Sequence, residues 1–257
     1  MSRFSTTHIN CALVLLLACS ATAQISGNAS PAVAPIGCPI QMTITNDTAS
    51  VIGTGACYYQ VYDAITGVPV YAPMFCVMIW LPIGPGQTLT MEWPQINSSG
   101  GPVPAGQYVA KITLPNGGGQ VSRNFTIVPT TPNSAAIAQL GTFRAGTTRS
   151  FDLWAPNAAN DVYLVLASAT TVVGNPTCAG VFPLDFDFLL AMSLNYNSGV
   201  FQATYGLLNG AGRSQSPAIA VPAGVSGVTF NVAFVAVDPT QSCGITAMSA
   251  AEPITIQ

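Results

Sequence analysis

Ile83-Gly84-Pro85-Gly86-Gln87 and Gly101-Pro102-Val103-Pro104-Ala105-Gly106-Gln107-Tyr108-Val109 flank an alternating segment that ends at Trp93, all within residues 81–114. Proline fixes φ and glycine permits a tight turn, so each quoted segment is suited to lead the chain into a strand. The order strand, loop, strand is typical of one end of a β-sandwich.

The flanking sequence extends this pattern in both directions. Residues 40–45 alternate between Ile40, Met42, Ile44 and polar side chains, which predicts a half-buried strand. Further strands are expected at 51–55, 58–62, 68–71, 75–81, 87–93, 108–114, 120–128, 146–154, 162–168, 200–207, 228–237 and 247–256. Short strands about ten residues apart, with turn residues between them, predict an all-β fold of two tandem immunoglobulin-like β-sandwiches.

The chain divides at prolines and polar residues. Residues 1–23 are expected to be a signal peptide and 24–37 an extended lead into a first sandwich at 38–128. Residues 129–134 contain two prolines and predict an extended, semi-rigid linker. A second sandwich is expected at 135–257.

The amino-terminal segment predicts export. Arg3 precedes an apolar run at 11–18, and Ala21-Thr22-Ala23 forms a cleavage site before Gln24. In an alternative interpretation, Leu16-Leu17-Ala18-Cys19 resembles a lipobox, and Cys19 would carry a lipid anchor. No later segment is long and apolar enough to span a membrane. The predicted location is therefore secreted or at the cell surface.

The composition limits the partners. Only 6% of the residues are charged, the formal net charge is −3, and the basic residues are scattered. Without a basic run to neutralise phosphates, nucleic acid is not an expected partner.

Five cysteines follow the leader, and an oxidising compartment would permit disulfides between them. Cys178–Cys243 is the pair expected in the second half. In the first half, a hairpin turning at residues 46–48 would bring Cys38 opposite Cys57, which favours that pair over Cys57–Cys76, although a shift in register would reverse the choice. The spacing contains no Cys-x-x-Cys pair, so no metal site and no cofactor are expected.

The first half also resembles a known family. Val61-x-Asp63, Gly67, Val70-Tyr71, Phe75, Gly84-Pro85-Gly86, Trp93 and Val103-Pro104-x-Gly106-x-Tyr108 occur in the order found in the intracellular proteinase inhibitor domain of the BsuPI type. The resemblance covers residues 38–128 and implies an immunoglobulin-like fold and inhibition of proteases. This chain departs from the family in its leader, its three cysteines and its scarcity of charged residues.

The second half resembles a β-sandwich module found at the carboxyl end of secreted bacterial proteins. The residues that carry this resemblance are Gly146-Thr147-Thr148-x-Ser150-Phe151, Ser226-Gly227-Val228-Thr229-Phe230 and Ala236-Val237-Asp238-Pro239. The module implies no activity of its own.

Catalytic side chains are sparse. The single histidine, His8, lies in the leader, so a Ser-His-Asp or Cys-His site is not expected. Asp185 and Asp187 would share one face of a strand and could form a carboxylate pair, with Asp152, Asp161 and Glu92 as further candidates. The alternative is that Asp185 and Asp187 lie on a solvated strand face, which is the favoured interpretation.

Binding is the function class that remains. Trp80, Trp93 and Trp154 could form a carbohydrate platform, but their neighbours favour core packing. Exposed loops are the expected contacts with a partner: Asn97, Ser98 and Ser99 in one, and Asn116 and Gly117 in another. The sequence predicts an exported, non-enzymatic structural or binding module whose partner is a protein or a surface polysaccharide. A proteinase inhibitor and a glycan-binding accessory module are the alternatives.

Overall fold

The computed structural model describes residues 24–73, 79–195 and 198–257. In this part of the chain the fold is all-β, with one short helix, and it forms two sandwiches in tandem. The strands of the first half are β1 (Ile25–Ser30), β2 (Val33–Pro35), β3 (Ile40–Asn46), β4 (Ile52–Thr54), β5 (Tyr59–Asp63), β6 (Pro69–Tyr71), β7 (Leu81–Ile83), β8 (Thr88–Trp93), β9 (Gly106–Thr113) and β10 (Gln120–Val128).

The first sandwich packs a three-stranded sheet against a five-stranded one. The orders are β1-β3-β8 and β2-β10-β9-β5-β6, and β4 pairs with β7 in a separate ribbon. Ile40, Met42 and Ile44 from β3 meet Ala110 and Ile112 from β9 in the core, all fully buried. The apolar positions at period two therefore do form one buried face, as the sequence predicts.

The segment at residues 81–114 forms the end of this core. The Trp93 ring is completely buried, and its Nε1 donates a hydrogen bond to the Ile96 carbonyl at 2.8 Å. The Tyr108 hydroxyl donates to the Pro104 carbonyl, four residues upstream, at 2.7 Å. A tyrosine bonded back to upstream backbone is a recurring corner of immunoglobulin-like sandwiches, and it accounts for the Pro-x-Gly-x-Tyr spacing.

The second half continues with β11 (Ser134–Leu140), β12 (Thr148–Trp154), β13 (Val162–Ser168), β14 (Asn175–Thr177), β15 (Gly180–Phe182), α1 (Phe188–Ser193), β16 (Phe201–Gln202), β17 (Tyr205–Leu207), β18 (Arg213–Ser214), β19 (Ala218–Ala220), β20 (Thr229–Val237), β21 (Ile245–Ser249) and β22 (Glu252–Thr255). Its main strand order is β16-β19-β12-β11-β21-β20-β13-β17. Strand β11 pairs antiparallel with β12 and parallel with β21, which joins the two layers. Phe151 on β12 and Phe234 on β20 belong to the core between the layers.

A small insertion covers the outer face of this sandwich. Phe182, Leu184 and Leu190, from β15 to α1, pack against Leu166 on β13 and Val235 on β20 in a separate apolar cluster. The insertion exists because the outer faces of β13 and β20 are apolar and need a cover.

Several elements differ from the sequence prediction. The predicted lead at 24–37 contains β1 and β2, which pair with β3 and β10. The predicted strand at 200–207 is two short strands, β16 and β17, separated by Ala203 with a φ of 48°. Of the predicted strand at 75–81, residues 75–78 lie outside the described residues, and Ile79 and Trp80 are exposed rather than central.

Candidate functional site

The two sandwiches meet at a buried polar interface. Strand β3 is buried on both faces, and Gln41, Thr43 and Thr45 on its polar face are no more than 1% exposed. The half-buried prediction for β3 is wrong because the second sandwich covers the polar face. At Gly141, with a φ of +101°, a Cβ would lie 2.7 Å from Thr88 Oγ1, so only glycine permits this close approach of the backbone.

Arg213 forms the centre of one charged cluster in this interface. Its Nη2 lies 2.5 Å from Asp152 Oδ2 on its own sandwich and 2.7 Å from Glu92 Oε1 on the other. Gln41 Nε2 donates to the same two carboxylates, at 2.9 Å to Asp152 and 3.2 Å to Glu92. The sequence analysis gave Asp152 and Glu92 as separate candidates for a catalytic carboxylate. In the structure, both carboxylates bond to the guanidinium of Arg213.

The two carboxylates respond oppositely to this environment. Burial raises the pKa of Asp152, although Arg213 works against the shift. The hydrogen bond from Arg213 lowers the pKa of the more exposed Glu92. Because Arg213 and Gln41 occupy both carboxylates, the geometry is that of an ion-pair bridge between sandwiches.

Glu252 forms a second buried cluster, and no cation among the described residues pairs with its carboxylate. Its Oε1 accepts from the Ser30 hydroxyl at 2.5 Å and from Gln139 Nε2 at 3.2 Å, and its Oε2 accepts from the Ala32 N–H at 2.6 Å. Glu252 is 3% exposed, and burial raises its pKa to about 7 despite these three hydrogen bonds. A groove of about 420 Å³ between the sandwiches opens beside it, with Arg123 among the lining residues.

Asp47 forms the third polar cluster of the interface. Arg144 Nε lies 2.9 Å from Asp47 Oδ2, and Arg149 Nη2 lies 3.7 Å from Oδ1. Burial raises the pKa of Asp47, and the two arginines from the second sandwich oppose that rise. Three separate polar clusters therefore hold the sandwiches against each other.

The first predicted contact loop is exposed and well ordered by hydrogen bonds. Asn97 Oδ1 accepts from the Ser99 and Gly101 N–H groups at 2.9 and 3.0 Å, and the Gly100 N–H donates to the Asn97 carbonyl. Ser98 Oγ accepts from the Ala72 N–H at 3.0 Å, which fixes the loop to the chain just after β6. Ser98 and Ser99 themselves are exposed.

The second predicted loop lies elsewhere. Asn116 and Gly117 have φ values of 54° and 74° in the exposed turn of the β9–β10 hairpin. Strand β5 separates that hairpin from β6, where the Asn97 loop is attached. The structure thus places the two loops on separate parts of the first sandwich.

One of the two disulfide predictions is confirmed and the other is wrong. Cys178 and Cys243 are bonded, with Cα atoms 5.6 Å apart, and connect the β14–β15 turn to the loop after β20. The predicted pair of Cys38 with Cys57 is wrong: Cys38 is a free, buried thiol and Cys57 is disulfide-bonded elsewhere. The reason is topological, since β3 pairs with β1 and β8, whereas β4 pairs with β7. The alternative Cys57–Cys76 involves a residue outside the described part of the chain.

Asp185 and Asp187 are not on a strand, contrary to the sequence prediction. Asp185 accepts from the Thr170 hydroxyl and from the N–H groups of Val172, Val173 and Gly174, which lowers its pKa to about 2. Asp187 is the N-cap of α1 and accepts from the Leu190 N–H at 2.8 Å. Both carboxylates therefore organise local backbone.

The three tryptophans occupy different environments. Trp93 is fully buried, as predicted, and Trp154 is partly buried against the first core. Trp80 is 63% exposed, so the prediction of core packing is wrong for this residue.

The described residues hold no group of three or more histidine, cysteine, aspartate or glutamate side chains placed to bind a metal ion. The one helix found in residues 24–73, 79–195 and 198–257 is too short to cross a membrane.

Comparison with known proteins gives no family. No protein-family model matches the chain, and no curated protein matches it. Among solved structures, red sea bream transglutaminase is similar with a TM-score of 0.30 and 8% identity, over 91% of this chain and 31% of that one. The native conformation of E. coli alpha-2-macroglobulin gives a TM-score of 0.29 and 11% identity, over 91% of this chain and 16% of that one. The chain therefore spans less than a third of either protein.

The polar interface between the sandwiches is the structural feature that the sequence analysis missed. Arg213, Gln41 and Glu252 have no local motif, because their partners are far away in the chain. One signal was available: a scarce charged residue in a chain with 6% charged residues is a candidate for a specific role.

Proposed function

We propose that this protein is an exported, non-enzymatic binding module whose first sandwich presents the Asn97 loop to a protein or polysaccharide at a cell surface. The observation that carries this proposal is the loop's hydrogen bonding, in which Asn97 and Ser98 hold an exposed backbone in one conformation. A loop ordered before binding loses little conformational entropy on contact, which favours affinity.

The interface between the sandwiches supports the same proposal. Ion pairs from Arg213 and around Asp47 join the halves, so the second sandwich can act as a rigid support for the first. The Cys178–Cys243 disulfide supports export, because structural disulfides persist in oxidising compartments.

The test is saturable binding of labelled residues 24–257 to isolated envelopes of the source organism. We expect unlabelled protein to displace the label, and we expect Asn97→Ala to weaken binding. Asp238→Ala, which removes a similar carboxylate-bonded turn at Thr240, is the matched control. Non-saturable binding, or turnover of any substrate by the purified protein, would contradict the proposal.

Protease inhibition by the first sandwich is the second candidate. It is supported by the resemblance of residues 38–128 to BsuPI-type domains and by the ordered Asn97 loop, because an inhibitory loop must resist rearrangement in a protease cleft. The test is a titration of the protein against a panel of serine and metalloproteases. Loss of protease activity at a one-to-one ratio would establish inhibition, and flat curves across the panel would eliminate it.

A further inference from the structure

Trp80 is presented on the surface by the backbone beneath it. An ideal Cβ on Gly53 would lie 1.6 Å from Trp80 Nε1 and 2.1 Å from Cε2, so the indole lies directly on the glycine backbone of β4. Any larger residue at position 53 would displace the ring. One face of the indole is thus supported by β4, while 63% of the residue stays exposed.

Two further groups lie along the same surface. Gly53 pairs with Pro82, so the proline ring and the indole share one face of the β4–β7 ribbon. Gln87 Oε1 accepts from the Gly84 N–H at 2.9 Å, and a Cβ on Gly84 would lie 2.8 Å from that oxygen. The indole of Trp80 therefore lies beside the ring of Pro82 across the ribbon, and the carboxamide of Gln87 lies over Gly84, two residues after Pro82. These three groups are here called the Trp80 face.

A groove adjoins the Trp80 face. It encloses about 350 Å³ and is lined by Pro82, Ile83, Gln87, Thr88 and Leu89, none of which carries a charge. Gln87 and Thr88 supply hydrogen-bonding groups at its edge. A flat aromatic ring beside uncharged amide and hydroxyl groups matches a ligand with both apolar C–H faces and neutral hydroxyls.

We propose that the Trp80 face binds a neutral polysaccharide. A pyranose ring would stack its C–H face on the indole, whose π face is negative, and its hydroxyls would bond to Gln87 and Thr88. The residues that line the adjoining groove carry no charge, which favours a neutral ligand over a charged one. The inference goes beyond the proposed contact at the Asn97 loop, because it assigns a second binding surface to the first sandwich and names the chemical class of its ligand.

The test is depletion of residues 24–257 from solution by microcrystalline cellulose, chitin and insoluble xylan. We expect saturable binding to at least one of them. Trp80→Ala should weaken it at least about tenfold, as for an aromatic anchor, and Trp80→Phe should retain part of it. Phe186→Ala, which removes another exposed ring (79%) on the second sandwich, should bind as the wild type does.

Gln87→Ala keeps the indole in place and should also weaken binding, so the inference does not depend on one variant. Equal binding by the wild type and Trp80→Ala would overturn the proposal that the Trp80 face binds polysaccharide. Absence of wild-type binding to all three polysaccharides would also overturn it. Saturable binding to envelopes, measured separately, would leave the proposed binding function standing in both cases.

Discussion

Glu252 is a buried carboxyl that should make the stability of the protein depend on pH. Burial raises its pKa from 4.5 to about 7, so the folded state holds a proton that the unfolded state releases above pH 4.5. Its stabilising contribution is therefore complete below pH 4.5 and is lost as the pH rises through 7. A shift of this size corresponds to about 3 kcal/mol. The only histidine in the sequence is His8, so a fragment of residues 24–257 contains no histidine that could contribute to the slope.

We expect the free energy of unfolding of residues 24–257 to fall between pH 5 and pH 8, and Glu252→Gln to remove most of that decrease. Urea unfolding followed by tryptophan fluorescence measures both. Asp238→Asn alters an exposed carboxyl whose pKa is lowered by hydrogen bonds from Thr240, so it should leave the slope unchanged. An equally steep slope in Glu252→Gln would show that Glu252 is not the group responsible.

Cys38 gives a second prediction at the scale of one residue. The thiol is 2% exposed, and burial raises its pKa far above the usual range, so the reactive thiolate is scarce. In the native protein at pH 8, Cys38 should not react with a disulfide reagent such as DTNB. It should react once guanidinium has unfolded the protein. Mass spectrometry of the labelled peptide identifies the site, and Cys38→Ser should lose that label. Rapid labelling of Cys38 without denaturant would contradict its burial.

Asp185 holds the loop at residues 170–174 in place through hydrogen bonds. Its carboxylate bonds to one hydroxyl and three consecutive N–H groups, and the Thr170 hydroxyl contributes most to lowering its pKa to about 2. Because the folded pKa is lowered from 3.8, the ordering of the loop is present above pH 3.8 and is lost as the pH falls through 2.

We expect Asp185→Ala to leave those amides without an acceptor and to increase hydrogen exchange at Val172, Val173 and Gly174 at neutral pH. Asp238→Ala, which alters a carboxylate outside this loop, is the control for a general loss of stability. Unchanged exchange at all three amides would show that the backbone alone holds the loop.

The elements that the sequence predicted are those whose pattern is local. Strands β3, β8, β10 and β13 follow from alternation or an apolar run, and the Pro-x-Gly-x-Tyr entry to β9 is explained by the hydrogen bond from Tyr108 to Pro104. Helix α1 was missed because its six residues lie within an apolar stretch too short to show helical periodicity. Its sequence signal is the N-cap Asp187.

At the scale of the molecule, the sequence could predict two sandwiches but not their contact. The polar face of β3 looks like a solvent face, since Gln41 and Thr43 show nothing of the second sandwich that covers them. Contacts such as that between Ser30 and Glu252 join residues 222 positions apart, beyond the range of any local pattern. The exposure of Trp80 was missed for a related reason, because the space under its ring is supplied by Gly53 on another strand.

We predict that Arg213 couples the unfolding of the two sandwiches, because it bonds to a carboxylate on each. Asp152 is 3% exposed, and its carboxylate would remain buried without a cation in Arg213→Met. Breaking a buried pair on one side typically costs about 3 kcal/mol or more, and here the bond to Glu92 on the other sandwich is lost as well. We therefore expect lower stability and a single unfolding transition that broadens or divides in calorimetry.

The double variant Arg213→Met with Asp152→Asn separates these two effects. It removes the unpaired buried charge, so it should recover part of the stability, but it should still lack the bridge to Glu92 and keep the divided transition. Arg123→Met, at an arginine with no ion pair among the described residues, is the matched control. If Arg213→Met lowers stability while the transition stays single and sharp, the other clusters, around Glu252 and Asp47, suffice to couple the sandwiches, and Arg213 serves only to neutralise Asp152.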